Sequence, residues 1–434
     1  MPNRAILHSS DAIIKKALKK IAKEQLPNER LIGPRNHFVD DTISKIQAYT
    51  LSSSKKDHLA QYVAASTITH CYDGWNFLSR GIESYLNGDI SSTIHFVYYS
   101  ELRAVMSLMA SNGIGIFNNR HLYFDSTEQD FAFTKSTHKA ADTLMNELSL
   151  SSVRKAFIFK LIKVNNWTLN DWIRSTGAST GSSYASSIVN IWLKKWSIDL
   201  RLNQDQELRN EMSYRPHFNI NEVIIKEGIK KILSVWKCLE PSISNRFNEL
   251  DKYLLRLVIE EIFKLSTGHR ISHKSFTPFV ASILSNLGES SSHPLFNFLT
   301  RRDIPDDHFI ITEAKKDTRS IRVNLLDPLP MICRSILLLR LSTGAANCLL
   351  EECGIVGNSL KFWWENTAYL IGLISSKPSG LNSYDLYADI NQAMENLQPQ
   401  VESISSVNEA IFSYAHDLNT IKQFQRVSFW GLGL

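Results

Sequence analysis

The stretch from residue 56 to residue 110, KDHLAQYVAASTITHCYDGWNFLSRGIESYLNGDISSTIHFVYYSELRAVMSLMA, decides the fold of this 434-residue chain. Apolar residues recur in its first part at intervals of three and four, which is the spacing of one helix face; they are Leu59, Tyr62, Val63, Ile68, Trp75, Leu78, Ile82 and Leu86. Asn87-Gly88-Asp89 reads as a turn. A second helix is predicted from Ser91-Ser92 to Ala110, with Asn112-Gly113 as its stop. Because the connection is short, we expect the two helices to pack antiparallel.

Helical patterns continue on both sides of this pair. Further helices are predicted over residues 9–26, 138–163, 188–209, 226–238, 248–265, 330–353 and 358–375. Loops or linkers are predicted at 284–308 and 376–383, and a short extended piece at 218–225. Residues 175–187 are small and polar, and predict either a loop or the N-terminal region of a helix. Phe309–Glu313 and Ile321–Leu326 alternate in strand fashion and predict one hairpin. The fold class is therefore mainly α: a helical bundle plus a second helical region with one small β-hairpin.

The length predicts more than one folding unit. We expect an N-terminal basic helix and linker over 1–55, a helical domain over 56–240 and a mostly helical C-terminal domain over 241–434. The apolar terminal segment Phe429–Leu434 is expected to dock on the body or on a partner.

Composition indicates a soluble globular protein, with 43% hydrophobic and 21% charged residues. A net charge of +5 permits a polyanionic partner without requiring one. The five cysteines are scattered, which favours reduced thiols and a cytoplasmic location. The N-terminus lacks an apolar secretion core. The apolar run Met331–Leu350 contains Arg334 and Arg340, which favours a buried helix over a membrane span.

The predicted N-terminal helix carries a row of lysines opposite its apolar face: Lys15, Lys16, Lys19, Lys20 and Lys23. Such a row fits either a nucleic-acid or membrane surface, or simply the solvated face of a docked helix.

The stretch Arg209-Asn210-Glu211-Met212-Ser213-Tyr214-Arg215-Pro216-His217 holds the most coherent set of chemical groups. Arginine holds phosphate, and histidine moves a proton near neutral pH. RNA carries its own nucleophile, the 2′-hydroxyl, so such a pair could cleave RNA without a metal. The same charges could equally form a solvated network at a helix end.

The helix containing Tyr98-Tyr99-Ser100, the following Gly-Ile segment with His121, and the late Arg209-Asn210 together resemble the HEPN superfamily of helical domains, and more loosely YaaC-type bacterial proteins. The resemblance covers residues of about 60–240. In that family the motif is an Arg, a polar residue, and a His after four to six intervening residues. Here seven residues separate Arg209 from His217.

The resemblance implies catalytic roles for Arg209 as the phosphate clamp, Asn210 as an orienting partner and His217 as acid or base. Substrate contacts are predicted for Arg215, Tyr98, Tyr99, Glu101 and Arg103. Many members of the family are metal-independent ribonucleases of toxin–antitoxin, CRISPR and phage-defence systems, active as dimers. Others only bind partners or nucleotides.

Three interpretations stay open: an endoribonuclease of a bacterial defence or toxin–antitoxin system, a non-catalytic subunit that binds a partner protein or nucleic acid, and an unrelated structural role. We expect no cofactor and no metal, although His269 and His273 have a spacing that a metal could use on a helix. RNA and a second copy of the chain are possible partners. We expect a protein partner that is encoded nearby, and we expect no association with a membrane. His70 and Asp73 could meet Glu101 and Arg103 inside the bundle, as a pocket or as a satisfied polar cluster.

Overall fold

The computed structural model describes residues 2–151, 155–177, 202–214, 222–242, 247–290, 292–301, 309–316, 318, 327–377, 382–404 and 406–432. The helices of the N-terminal half are α1 Pro2–His8, α2 Ala12–Glu24, α3 Thr42–Gln47, α4 Lys56–Leu86, α5 Ile90–Ser111, α6 Thr137–Leu150, α7 Lys155–Lys160, α8 Leu169–Ser175 and α9 Leu202–Tyr214. The later helices are α10 Glu222–Lys237, α11 Asn248–Thr267, α12 Phe276–Asn286, α13 Pro294–Thr300, α14 Phe309–Ala314, α15 Leu329–Glu352, α16 Lys361–Leu370, α17 Ser383–Leu397, α18 Val407–Ser413, α19 Ala415–Ile421 and α20 Val427–Gly431. The prediction of a mainly α fold is confirmed.

The central pair of helices, α4 and α5, packs antiparallel as the short connection predicts. Ser100 Oγ donates to the Gly74 carbonyl and Ser107 Oγ donates to the Thr67 carbonyl, each at 2.7 Å. Later residues of α5 therefore meet earlier residues of α4. A Cβ on Gly81 would lie 2.6 Å from a Val97 methyl, so the absence of a side chain there permits the close approach.

Two small antiparallel sheets accompany the helices. Strands β1 Ile114–Gly115, β2 Arg120–Phe124 and β3 Asp130–Thr134 form one sheet, with β2 in the middle. The short strands β4 Lys163–Val164 and β5 Trp167–Thr168 form a second. Thr168 caps α8 by accepting from the Asp171 amide in a capping box, which fixes the exit from β5.

The positions of several predicted elements are wrong. Phe309–Ala314 is a helix, so the predicted first strand of the hairpin does not form; Ile321–Leu326 lies outside the described residues. The predicted loop over 284–308 contains α13, and the predicted extended piece over 218–225 already belongs to α10 from Glu222 onward. The run Phe309–Glu313 is too short for its alternating pattern to decide the structure, and tertiary packing decides it instead. The consecutive residues Ile310 and Ile311 are both fully buried.

The longest apolar helix, α15, runs through the middle of the protein. It is the one helix within the described residues that is long and apolar enough to cross a membrane, and its apolar window is entirely buried. Arg334 and Arg340 on this helix are 1% and 2% exposed. Each is held by a carboxylate, Asp205 at 2.9 Å and Asp251 at 2.7 Å. The prediction of a buried core helix agrees with this arrangement.

One continuous cluster of buried side chains extends from Ala5 to Leu432. The terminal segment docks on the body: Phe429 and Trp430 are each 1% exposed, and Trp430 Nε1 donates to the Leu239 carbonyl at 3.2 Å. The three-part division at residues 55 and 240 stays a prediction about folding units. The described cysteines are all free thiols.

Candidate functional site

An arginine lies over a pair of tyrosines where α9 packs against α5 and α6. The Arg209 guanidinium carbon is 5.1 Å from the Tyr98 ring centre and 5.5 Å from the Tyr99 ring centre. Both distances fall within the range of cation–π attraction. Two of the predicted substrate-binding residues thus meet the predicted phosphate clamp, although Tyr98 and Arg209 are far apart in the chain.

A histidine stands beside each tyrosine. The Tyr98 hydroxyl is 2.6 Å from His138 Nδ1, in the first turn of α6. The His95 and Tyr99 ring centres are 5.0 Å apart, one helical turn from each other on α5. Arg209, Tyr98, Tyr99, His95 and His138 are hereafter the arginine–tyrosine cluster.

Four of the five residues of the cluster are partly exposed to solvent. Tyr98 is 1% exposed, whereas Tyr99, His95, His138 and Arg209 are half-buried. Ser213, one turn after Arg209, is exposed, and its hydroxyl lies 3.5 Å from His95 Nδ1, the outer limit of a hydrogen bond. A ligand could therefore reach the guanidinium and both imidazoles.

Burial and the nearby Arg209 charge lower the pKa of both His95 and His138. Burial is the larger cause in each case, because it disfavours the charged imidazolium. Both histidines are therefore neutral near pH 7 and can accept a proton. Within the described residues no hydrogen bond reaches His138 Nε2, so this nitrogen is free when Nδ1 carries the proton and donates to Tyr98.

Arg209 lacks the partner that a buried arginine usually has. Its Nε is buried with no hydrogen bond, and no carboxylate forms an ion pair with it in the part of the chain that the structure describes. A buried donor without an acceptor costs on the order of 1–3 kcal/mol. An incoming anionic oxygen could supply the missing acceptor after a small side-chain movement.

Glu101 faces the core. It is 1% exposed and lies near Asp205 of α9 and Arg334 of α15. Burial, and secondly the Asp205 charge, raise the pKa of Glu101 well above its ordinary value, which favours the protonated carboxyl. Asp205 accepts from Arg334 in a bidentate pair, which anchors α9 one turn before Arg209.

Arg103 lies two turns along α5 from His95, in a polar group that also includes His70 and Asp73. Arg103 Nη1 is 2.9 Å from His70 Nδ1, and its Nε is 3.8 Å from an Asp73 carboxylate oxygen. Burial and the Arg103 charge lower the pKa of His70 to about 3. His70 is therefore a neutral acceptor, and the three predicted polar residues do meet between α4 and α5, without Glu101.

The other named residues fall into three groups. Asn210 is half-buried on α9 beside Arg209. Arg215 and His217 lie outside the described residues. His121 is fully buried and satisfied by backbone, accepting from the Phe117 amide and pairing with the Lys135 carbonyl, so it has a structural role.

No group of three or more His, Cys, Asp or Glu side chains within the described ranges is placed to hold a metal ion. His269 and His273 stack face to face at 3.9 Å between ring centres, without a third ligand of these types among the described residues.

Sequence reasoning did not select His95 and His138. His95 could have been found, because it precedes Tyr98 and Tyr99 by three and four residues and so shares their helix face. His138 comes from another helix forty residues later, and only tertiary packing brings it to Tyr98.

Comparison with known proteins gives one partial similarity. A probable ATP-dependent helicase of Plasmodium falciparum (isolate 3D7) is similar to this chain, with 23% identity over 190 residues, or 42% of this chain. The chain spans only 8% of that protein's length. No family model and no solved structure matches the chain.

Proposed function

We propose that this chain is a metal-independent endoribonuclease with an HEPN-like helical domain, acting in the cytoplasm as part of a bacterial phage-defence or toxin–antitoxin system. One observation carries the proposal: Arg209, without a carboxylate partner among the described residues, lies over Tyr98 and Tyr99 with a neutral histidine beside each ring. The helicase similarity covers too little of that protein to transfer its activity.

The chemistry requires a phosphate clamp, a base and an acid. Arg209 binds the non-bridging oxygens of the scissile phosphate and stabilises their charge in the transition state. His138 Nε2 takes the proton of the 2′-hydroxyl, whose oxygen attacks phosphorus, and the bond from phosphorus to the 5′-oxygen breaks. His95, which the bound phosphate helps to protonate, gives its proton to the leaving 5′-oxygen. The products are a 2′,3′-cyclic phosphate and a 5′-hydroxyl.

Tyr98 positions the base. Its hydroxyl lies 2.6 Å from His138 Nδ1, and in the tautomer in which it accepts the Nδ1 proton, Nε2 is free to act as the base. Asn210 and the sequence-predicted His217 remain candidates for the same site, with His217 as an alternative acid or base. A homodimer that joins two such clusters is part of the proposal, because one Arg and its histidines from a single chain leave the phosphate open to water.

The test is cleavage of a single-stranded RNA oligonucleotide in excess EDTA. We expect cleavage by the natural chain, a product bearing a cyclic phosphate, and no cleavage when the scissile nucleotide is 2′-deoxy. Arg209→Ala and His138→Ala should each abolish it, and His217→Ala shows whether the third histidine takes part. Full activity in both Arg209→Ala and His138→Ala would overturn the assignment.

The homodimer is tested by mixing two inactive variants. If each active centre combines Arg209 of one protomer with His138 of its partner, a mixture of Arg209→Ala and His138→Ala chains recovers part of the activity. No recovery, with both variants dimeric by light scattering, places the two residues of one centre in the same chain.

A second candidate function is a non-catalytic subunit that binds a partner protein. The end of α16 favours it, because Tyr369, Leu370 and Ile371 are 48%, 81% and 40% exposed. Such a run of exposed apolar side chains is typical of a binding surface. Binding to the purified product of an adjacent gene, lost in Leu370→Asp, would support this function; a natural chain that cleaves RNA alone would displace it.

A further inference from the structure

A strip of half-buried aromatic rings runs along the α4–α5 face next to the arginine–tyrosine cluster. Phe77 of α4 stacks on Tyr99 of α5 at 5.6 Å between ring centres and 29° between planes. Phe96 lies 6.5 Å from Phe77, and His95 lies edge-on to Phe96 at 5.7 Å. Each of these four rings keeps part of its surface in water. Phe77, Phe96, Tyr99 and His95 are hereafter the aromatic strip.

Two arginines lie near Tyr99 of the aromatic strip. The guanidinium carbon of Arg209 is 5.5 Å from the Tyr99 ring centre. Arg103 follows Tyr99 by four residues on α5, which places it about 6 Å further along the helix axis. Asp73 is the opposing charge nearest Arg103, at 3.8 Å, and His70 stays neutral. The Arg103 side chain is 31% exposed.

Partly exposed rings beside two guanidinium groups match the chemistry of single-stranded nucleic acid. Bases stack on aromatic side chains, while arginines hold the backbone phosphates. A duplex hides its base faces and does not offer this pairing. An apolar protein partner would not use the two arginines.

We propose that the aromatic strip binds the RNA strand next to the scissile nucleotide, with a base stacked on the exposed part of the Phe77–Tyr99 pair and the neighbouring phosphate at Arg103. This subsite rests on the proposed ribonuclease function, because it extends the same strand away from Arg209. It assigns substrate binding to Phe77, which the sequence pattern alone identifies only as a helix residue.

The test measures binding and cleavage separately. Binding is followed by fluorescence anisotropy of a labelled single-stranded RNA in the full-length His138→Ala chain, in which cleavage is absent on the proposed mechanism. Phe77→Leu keeps an apolar side chain and removes the ring, and we expect about 5-fold to 100-fold weaker binding, the range for the loss of one stacked base. Arg103→Gln should weaken binding and reduce the salt dependence by the release of about one counterion.

Tyr369→Leu is the matched control. Tyr369 is also a partly exposed ring beside a cation, Lys377, but on α16. Its removal should leave RNA binding unchanged. Thermal unfolding of each variant shows that it is folded, and Phe96→Leu replaces Phe77→Leu if the latter is not.

The two proposals fail in different ways. Unchanged affinity in both Phe77→Leu and Arg103→Gln, or equal affinity for duplex RNA, would overturn the aromatic strip even if the natural chain cleaves RNA. Binding that depends on Phe77 and Arg103 in a natural chain without nuclease activity supports the strip as a binding surface and overturns the ribonuclease.

Discussion

Arginine serves opposite purposes in two regions of this molecule. In the core, Arg334 and Arg340 of α15 are almost fully buried, and each forms a bidentate pair with an aspartate. At the α5–α9 surface, Arg209 is half-buried, lies over two rings, and leaves its Nε without an acceptor. A guanidinium whose donors are all used holds a structure together, whereas one with unused donors can bind something else.

The difference explains why the buried pairs alone do not mark a site. A buried ion pair roughly balances desolvation against attraction, so its presence says little about function. By contrast, Arg209 lies over aromatic rings, next to two histidines, and is partly exposed to solvent. A guanidinium in this setting can bind an anion. Four substitutions test this contrast, in order of decreasing effect.

The largest effect is expected from removing a core arginine. Arg340→Ala leaves Asp251 buried without its partner, which should lower the free energy of unfolding by about 3–5 kcal/mol. Urea denaturation measures it. The double variant Arg340→Met, Asp251→Leu removes both charges and should recover most of the loss. If the free energy of unfolding of Arg340→Ala were within about 1 kcal/mol of that of the natural chain, the stabilising role of the Arg340–Asp251 pair would be contradicted.

Removing Arg209 should affect activity and spare stability. On the proposed function, Arg209→Ala lowers the RNA cleavage rate by about 10²–10³, comparable to the loss of one preorganised donor to transition-state charge. The free energy of unfolding should change by about 1 kcal/mol or less, since no ion pair is broken within the described residues. Arg209→Lys keeps the charge without the planar fork and should recover only part of the rate. Equal losses of stability in Arg209→Ala and Arg340→Ala would remove the contrast.

A smaller effect is expected from Glu101, and it depends on pH. Its pKa is raised in the folded protein by burial and by Asp205, so the folded state keeps a proton that the unfolded state loses above the ordinary value of 4.5. The contribution of Glu101 to stability is therefore full below that value and is lost as pH rises toward the folded-state pKa. Glu101→Gln cannot ionise and should lose less stability between pH 5 and pH 8 than the natural chain. Melting temperatures of both proteins across this range measure the difference; parallel curves would contradict it.

The smallest effect is expected at the surface pair Lys16–Glu128, which joins α2 to the β2–β3 turn at 2.9 Å. Glu128→Gln should lower the free energy of unfolding only slightly, because exposed pairs are weak. The difference should vanish in 1 M salt, where the screening length is about 3 Å. Urea denaturation at low and high salt provides the measurement, and a loss as large as that of Arg340→Ala would erase the distinction between core and surface pairs.

The long helices could be predicted from the sequence because their apolar residues recur regularly at helical spacing. The pattern from Leu59 to Leu86 predicts α4 closely, and the turn signal at Asn87-Gly88-Asp89 predicts the start of α5. Arg334 and Arg340 also predict that α15 belongs to a protein core, since charges are costly in a bilayer.

The short helices and strands and the residues that make up the site were harder to predict from the sequence. Phe309–Glu313 alternates as a strand would, but tertiary burial makes it helical. Arg209, Tyr98 and Tyr99 could be named from sequence, whereas His138 depends on how α6 packs beside α5. The role of Glu101 as a buried acid, not a surface ligand, follows from Asp205 and Arg334, which belong to two other helices.

The bond between Asp205 and Arg334 has a consequence during synthesis of the chain. The two residues are 129 positions apart, so this ion pair of α9 cannot form until translation has passed α15. At roughly 5–20 residues per second, this delay is on the order of ten seconds. A nascent chain without α15 therefore lacks this ion pair, one turn before Arg209 of the proposed nuclease centre, while it is still close to the messenger RNA that encodes it.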